Sequence, residues 1–288
     1  MATTANPAPA TPARGGRIPR GANPSLGRRI VRFWPAGLAV LLFVGLWAVL
    51  ADTVFAGKSY LLPGPLLVVQ TGWEIRDSVL LSARTTLVSA LIGYAVSIVG
   101  GMLFAMIMAE SKAMERSLYP WAVILQVTPI IAIAPIIIIW FGFNSTSIVI
   151  ISAAIAFFPI LNNTHLGLVS TDRNQVELFR LQHVGWLATF WHLRLPAAIP
   201  SIIAGLRVSA GLAVTGTILG EFVIGTAGSY GGLGVRIIMA EAVLNTPQLY
   251  AYVLATTLLG LTFFAIVSYL GYRLLRDWHE SARKEVAD

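Results

Sequence analysis

The sequence predicts an all-α integral membrane protein with about six transmembrane helices. Of its 288 residues, 56% are hydrophobic and 11% are charged, whereas soluble domains carry about 25% charged residues. Four stretches contain no charged residue, at 33–51, 85–109, 117–171 and 242–272. Each can cross the hydrocarbon core, which takes about 20 apolar residues in a helix. Closed β-barrels use short segments of alternating hydrophobicity, which these stretches lack.

Residues 1–32 are predicted to form a disordered, basic tail, followed by a membrane domain over residues 33–288. The tail is rich in Pro, Ala, Gly and Arg and has no periodic apolar face, which is typical of segments that do not fold. The sequence VFA at 54–56 resembles a signal-peptidase site. The apolar stretch before it has 19 residues, more than the roughly 7–15 of a signal core, so an uncleaved first helix is favoured.

The stretch at 117–171 has 55 residues, too many for one crossing. The sequence GFNSTS at 142–147 has the composition of a turn, so this stretch is predicted to form two helices in a hairpin. These helices are the third and fourth spans, and residues 85–109 form the second. A fifth span is predicted over about 202–224, and a sixth within 242–272.

The third and fifth spans carry the polar residues that could line a transport pathway. Two prolines in the third span each remove a helical hydrogen bond and predict a kink. A kink absorbed by packing is an equally good interpretation, and the small residues of the fifth span first of all indicate a helix-packing face. That stripe consists of Ser209, Ala213, Gly216 and Gly220. The candidate pathway residues are Gln126, Thr128, Pro129, Thr215 and Thr217.

The distribution of Lys and Arg predicts the orientation of the chain. With both termini in the cytoplasm, sixteen of the twenty basic residues fall on the cytoplasmic side, and the four outside are Lys58, Arg76, Arg84 and Arg236. Basic residues are enriched in cytoplasmic loops. Both termini and residues 170–200 are therefore predicted to be cytoplasmic.

Enzyme motifs are incomplete in this sequence. The sequence DTVFAGKS at 52–59 ends like a phosphate-binding loop, but Asp52 occupies the position of the first glycine. No two histidines have the i, i+4 spacing of a metalloprotease helix, and the chain has no cysteine. We therefore predict no catalytic residue and no metal site. The glycine-rich residues 225–234 are predicted to be a flexible connection before the last helix.

An ion-coupled carrier is the alternative transport class, and an intramembrane enzyme is less favoured still. Ion-coupled carriers use carboxylates within the membrane, whereas Asp52 and Glu221 are both predicted near the outer ends of spans. The net charge of +7 is also found in proteins that bind nucleic acid, but basic residues orient membrane chains as well. No nucleic-acid partner is expected.

The segment VELFRLQHVGWLATFWHLRLPAAIPSIIAGLR at 176–207 is apolar but interrupted by charges. A charge at the centre of a membrane helix costs about 2.5–3.5 kcal/mol, so the charged part is predicted to lie outside the bilayer. Its leucines, tryptophans and phenylalanines are too apolar for a solvated loop, and they predict a short amphipathic helix lying on a surface. That surface is the membrane or a partner protein, and the periodicity fits both.

The same segment resembles the EAA loop of the membrane-spanning subunits of type I ATP-binding-cassette (ABC) importers. Glu177 and Leu195-Pro196 stand at the family spacing and lead into AAIPSIIAGLR. His183 occupies the position of the family glycine, and Gly185 follows two residues later. Leu178 and Phe179 replace the two alanines of the family motif.

The similarity covers roughly residues 60–275. The segments LLPGP, TPIIAIAPIIIIWFG, FFPILNNTHLGL and GEFVIG resemble the nitrate, sulfonate and taurine branch of the family. Within that branch, PIIAIAPIIIIWFG is most similar to permeases for riboflavin or for pyrimidine precursors of thiamine. The resemblance implies the MetI-like transmembrane fold and a bacterial inner-membrane location.

The resemblance also implies a mechanism and a set of partners. Two permease subunits, expected to be identical, form the pathway in the lipid bilayer, and two cytoplasmic ABC ATPases drive it with ATP and Mg²⁺, which this chain does not itself bind. A periplasmic or lipid-anchored binding protein delivers a small polar or anionic solute. A coupling helix at about 177–186, with Glu177 at its start, would dock on the ATPase. The implied coupling residues are Glu177, Leu178, Phe179, Arg180, Leu181, His183, Val184, Gly185, Leu195 and Pro196.

Overall fold

The computed structural model describes residues 26–224 and 231–285 of the chain, and the regular elements within these ranges are all helices. The helices are α1 (Leu26–Asp52), α2 (Pro65–Glu74), α3 (Arg76–Glu110), α4 (Lys112–Val127), α5 (Ile130–Phe141), α6 (Ser145–Val169), α7 (Arg173–Leu181), α8 (Trp186–Thr189), α9 (Leu195–Ile224), α10 (Leu233–Ala242) and α11 (Thr246–Glu285). A π-helical turn, Phe190–Arg194, joins α8 to α9.

Four helices among the described residues are long and apolar enough to cross a membrane. They are α3, α6, the continuous helix Trp186–Ile224, and Thr246–Arg276 of α11. The pair α4 and α5 is apolar enough to count as a fifth span, but its two halves are bent by 98°. The all-α membrane class is thus confirmed, and four or five of the predicted spans are found among the residues searched.

The predicted first span, 33–51, lies within helix α1. This helix covers Leu26–Asp52, 27 residues, which is long enough to cross the hydrocarbon core, and Gly37–Asp52 is its apolar part. It begins before the predicted end of the disordered tail at residue 32. Residues 1–25 lie outside the described part of the chain, so their predicted disorder remains a prediction.

The predicted third span is broken rather than kinked. Helix α4 ends at Val127, and Thr128 adopts an extended backbone with φ −72° and ψ 123°. Pro129 causes this, because its ring disfavours the helical conformation of the residue before it and it has no N–H to donate. Pro135 lies inside α5 without ending it. One proline therefore makes the break, and the other is accommodated within the helix.

The predicted turn at GFNSTS is confirmed. Helix α5 ends at Phe141, followed by Gly142 with φ 86°, a conformation that favours glycine. Asn144 then caps α6, because its side-chain oxygen accepts a hydrogen bond from the Thr146 N–H at 2.9 Å.

Helices α3, α6 and α9 form the centre of the bundle, and small residues let their backbones approach closely. Ser152 of α6 donates a hydrogen bond to the Ala213 carbonyl of α9 at 2.8 Å, and Ser209 donates to the Ala156 carbonyl at 2.8 Å. Three members of the predicted stripe in α9, Ser209, Ala213 and Gly216, are buried. The fourth, Gly220, is also buried. The interpretation of this stripe as a packing face is confirmed.

Helix α10 is fastened to this centre by a buried carboxylate. Thr86 of α3 donates a hydrogen bond to Glu221 Oε1 at 2.8 Å, and the Gly234 N–H donates to Oε2 at 2.7 Å. The Leu233 N–H donates to the Thr86 hydroxyl at 2.8 Å. The first two N–H groups of α10 thus have partners on α9 and α3. Residues 225–230 of the predicted flexible connection lie outside the described residues, whereas 233 and 234 are helical.

Replacing Gly216 with alanine is expected to lower the thermal stability of the purified chain in detergent. A Cβ there would lie 2.8 Å from the Ser152 Cα, and such overpacking typically costs about 1–3 kcal/mol. Gly211→Ala on the same helix is the control, because its Cβ would meet no atom within 4 Å and alanine favours a helix by about 0.5–1 kcal/mol. Equal melting midpoints for the two variants would contradict the close approach of α6 and α9.

Candidate coupling and pathway sites

Helix α7 lies in the segment where an amphipathic helix was predicted, but it begins earlier. It covers Arg173–Leu181 rather than 177–186, because Asp172 caps it by accepting a hydrogen bond from the Asn174 N–H at 2.9 Å. Glu177 is therefore in the middle of the helix and not at its start. The carboxylate that complements the first N–H groups belongs to Asp172 instead.

One face of α7 looks into a polar cavity of about 420 Å³. This face consists of Arg173, Val176, Glu177 and Arg180, whose i, i+3, i+4, i+7 spacing places them on one side of the helix. The rest of the wall comes from the loops and helix ends at the same end of the bundle. Its members are Ala109, Lys112, Leu168, Val169, Thr171 and Arg194.

A different face of α7 carries exposed leucines. Leu178 and Leu181 are 52% and 78% exposed, and neither lines the polar cavity. Phe179 is half-buried between these two faces. The helix therefore presents charge inward, to the ends of the membrane helices, and apolar surface outward. Large exposed apolar side chains outside a membrane span indicate an interaction surface.

Helix α7 ends in a tight turn at the position of the family glycine. His183 has φ 56°, its N–H donates to the Arg180 carbonyl, and the Val184 N–H donates to the Phe179 carbonyl, both at 3.0 Å. These two bonds form a Schellman cap, in which the left-handed residue is usually glycine. Gly185 has an ordinary φ of −61°. The left-handed residue of this turn is therefore His183 and not Gly185.

The chain then enters one long helix. It is continuous from Trp186 to Ile224, so the helix that contains the predicted fifth span begins well before residue 202. Leu195 and Pro196 are both half-buried at its π-to-α transition. Arg194, in the π-helical turn, donates to the Ala109 carbonyl at 3.3 Å. This bond ties the start of the helix to the end of α3.

The break between α4 and α5 opens a second cavity, of about 300 Å³. Gln126, Thr128 and Pro129 line it, opposite Phe158 and Pro159 of α6. No charged residue is among the residues that line it. Three of the five predicted pathway residues are therefore brought together, by the same proline that breaks the span.

The two threonines of α9 do not line that cavity. Thr215 is exposed and donates to the Gly211 carbonyl at 3.2 Å. Thr217 is completely buried and donates to the Ala213 carbonyl at 2.9 Å and to Ser152 at 3.1 Å. Its geometry is that of a packing residue between α9 and α6.

The buried pair of Thr86 and Glu221 is the polar feature that sequence reasoning missed. Glu221 was predicted near the outer end of a span, and it is 1% exposed. Its partner lies 135 positions earlier in the chain. A carboxylate in an apolar helix is costly unless it is hydrogen-bonded, and this cost was the signal that a partner had to exist.

Comparison with known proteins identifies the family. Residues 97–279 match the family described as "Binding-protein-dependent transport system inner membrane component". The chain belongs to this family. It is therefore a multi-pass inner-membrane protein and the translocation subunit of an importer that works with a binding protein.

Curated relatives of this permease match almost along their whole length. The formylaminopyrimidine transport permease protein ThiX of Halalkalibacterium halodurans is 34% identical over 84% of the chain and 95% of the relative. The riboflavin transport system permease protein RibX of Chloroflexus aurantiacus is 33% identical over 88% and 95%. The putative aliphatic sulfonates transport permease protein SsuC of Bacillus subtilis is 28% identical over 86% and 89%.

A solved structure supports the same fold. The crystal structure of an amino acid ABC transporter with histidines superposes with a TM-score of 0.59, covering 71% of this permease and 97% of the solved chain at 15% identity. This likeness confirms the MetI-like class of fold predicted from the sequence.

His183→Gly is expected to preserve or strengthen the turn after α7, whereas His183→Val is expected to loosen it. The left-handed conformation costs a non-glycine residue roughly 1–2 kcal/mol, and β-branching increases that cost. Hydrogen exchange of the amides of His183 and Val184 in the purified permease measures the effect. Gly185→Ala is the control, because φ there is ordinary and its Cβ would meet no atom. Faster exchange in the glycine variant than in the wild type would contradict the assigned turn.

Proposed function

We propose that two copies of this permease form the translocation pathway of a type I ABC importer, and that separate cytoplasmic ATPases drive it with ATP and Mg²⁺. An external binding protein, free or lipid-anchored, delivers the solute. Family membership supports the transport role, and the exposed apolar face of α7 supports the ATPase contact. The ion-coupled carrier is disfavoured further, because the buried Glu221 carboxylate is already occupied by Thr86 and Gly234.

The ATPase contact is placed on the outward face of α7. Leu178 and Leu181 are the exposed apolar residues of this helix, and Trp186 and Leu187, which follow the turn, are also 52% and 60% exposed. The EAA-type residues Glu177 and Arg180 lie on the other face, toward the ends of the membrane helices. In this arrangement the leucines bind the ATPase, and the charged face transmits its movement to the bundle.

Both termini and α7 are proposed to face the cytoplasm. The sixteen-to-four distribution of basic residues supports this orientation. It also places the four cations around the polar cavity on the cytoplasmic side, where basic residues are favoured in bacterial inner membranes.

The solute is proposed to be small and polar, and the uncharged pathway cavity favours a neutral heterocycle over an anion. Two relatives above 30% identity are named for formylaminopyrimidine and riboflavin, which suits a cavity of about 300 Å³ with an amide, a hydroxyl and an aromatic ring in its wall. Sulfonate and nitrate permeases are more distant relatives. An anionic solute would need cationic groups that this cavity does not have.

The double variant Leu178→Ser/Leu181→Ser is expected to weaken ATPase binding at least about tenfold, because burying one leucine stabilises a contact by about 1.5–3 kcal/mol. Copurification of the ATPase with tagged permease measures binding, and substrate-stimulated ATP hydrolysis measures coupling. Val243→Ser is the control, because it replaces a 72% exposed apolar residue at the end of α10, at the opposite end of the bundle from α7. Undiminished copurification and hydrolysis in the double variant would overturn the assignment of α7 as the coupling helix.

Gln126→Leu is expected to change the transport rate or the solute preference of a complex that still assembles and hydrolyses ATP. The reason is that Gln126 is exposed and lines the cavity, and no side-chain hydrogen bond joins it to another helix among the described residues. Thr217→Val is the comparison, because it removes two buried hydrogen bonds and is expected to lower thermal stability by about 1–3 kcal/mol. Uptake assays in proteoliposomes and melting in detergent separate the two effects. If Gln126→Leu reduced stability and left transport unchanged, Gln126 would be a packing residue.

A further inference from the structure

The polar cavity behind α7 has an unusual charge. Lys112, Arg173, Arg180 and Arg194 line it, with Glu177 as the one carboxylate in its wall and Thr171 as a hydroxyl. Four cations and one carboxylate give a formal net charge of +3. We call this cavity the basic pocket.

The positive charge of the basic pocket is not neutralised within the described residues. None of its four cations has a carboxylate oxygen within 4.0 Å. The ion pairs found among the described residues lie outside the pocket. Arg194 donates one hydrogen bond to the Ala109 carbonyl. The neighbouring carboxylates of Glu110 and Asp172 do not line the pocket. Converging cations without an internal partner form a site for an anion from outside the chain.

The position of the pocket indicates the kind of anion. Its wall joins the last turn of α3, the last turn of α6 and the start of the long helix, and these are the ends of three membrane spans. Ala109, Leu168 and Val169 supply an apolar side to the pocket, and Val169 is 49% exposed. The group that is charged at one end and apolar at the other, at this depth, is a phospholipid.

We propose that the basic pocket binds the headgroup of an anionic phospholipid of the inner leaflet. The guanidinium groups of the arginines and the Lys112 ammonium would bind the phosphate, since arginine pairs with phosphate through two parallel hydrogen bonds. Basic pockets between transmembrane helices on the cytoplasmic side commonly bind such headgroups. The inference rests on the proposed orientation, which puts α7 in the cytoplasm.

An acidic side chain of the ATPase is the competing occupant, and the faces of α7 argue against it. Residues at 173, 176, 177 and 180 line the pocket, whereas the exposed leucines at 178 and 181 do not. A partner seated on the leucines would therefore contact residues other than those of the pocket wall. The lipid would instead bridge α7 to the ends of α3, α6 and α9, so that the coupling helix and the membrane helices share one ligand.

Lipid titration of the purified, delipidated full chain tests the proposal, with native mass spectrometry as the readout. The probes are dioleoylphosphatidylglycerol, which is anionic, and dioleoylphosphatidylcholine, which is zwitterionic. The wild type is expected to prefer the anionic lipid. Lys112→Gln and Arg194→Gln are each expected to weaken its binding about fivefold, from the usual contribution of one basic residue near the membrane surface. Arg116→Gln is the control, because it removes an exposed cation one helical turn beyond Lys112 that does not line the pocket.

Three results would overturn the proposal. The first is equal binding of the two lipids by the wild type, and the second is the same weakening in Arg116→Gln as in the pocket variants. The third is displacement of the lipid by millimolar inorganic phosphate or by the bound ATPase, which would assign the pocket to a free anion or to the partner. Melting of each variant in detergent without lipid verifies that Lys112→Gln, an exposed change, remains folded. Lipid binding is measured on the permease alone, without ATPase and without transport. The result therefore tests the lipid site independently of the assignment of α7 as the coupling helix.

Discussion

Helix α6 lies with its backbone almost in contact with α3 on one side and α9 on the other. A Cβ built on Gly93 of α3 would fall 2.5 Å from the Ser152 hydroxyl, and one on Gly216 of α9 would fall 2.8 Å from the Ser152 Cα. In a membrane, where hydrophobic burial does not separate helix from lipid, such close approach and the hydrogen bonds it permits are what hold helices together. The hydroxyl of Ser152 donates its hydrogen bond to a backbone carbonyl of α9. The other elements take their positions from these three helices.

Helices α10 and α7 pack at opposite ends of this three-helix centre. At one end, α10 is held by the Glu221 carboxylate, which accepts hydrogen bonds from α3 and from the first turn of α10. At the other end, α7 follows α6 and precedes the long helix, with the Arg194 bond to the Ala109 carbonyl closing the corner. Between the two ends, the break at Pro129 turns α5 away from α4 and leaves the uncharged cavity beside α6. Helix α10, helix α7 and the uncharged cavity are therefore positioned by hydrogen bonds and by a helix break, and not by long loops.

The sequence was most informative where composition and local chemistry decide the structure. Charge-free stretches found the spans of α3, α6 and α11, and the GFNSTS turn was recognisable because glycine and an N-capping asparagine occur together. The small-residue stripe of α9 was identified as a packing face for the same reason. Family spacing pointed to the segment around Glu177, although the cap at Asp172 moved the helix by four residues. The local pattern predicted a kink at Pro129 and at Pro135 alike, and it did not show that only Pro129 breaks the span. The pairing of Thr86 with Glu221 was equally invisible, since it joins residues 135 positions apart.

The unbroken helix from Trp186 to Ile224 has a mechanical consequence. At 1.5 Å per residue its 39 residues form a rod about 58 Å long. One end of this helix lies next to the turn that follows α7, and the other end carries the Glu221 carboxylate that is hydrogen-bonded to α10. A rod of that length tilted by about 5° moves one tip by about 5 Å relative to the other, the rise of a full helical turn. A displacement of this size, imposed at Trp186, would be transmitted to Glu221 by the helix backbone itself.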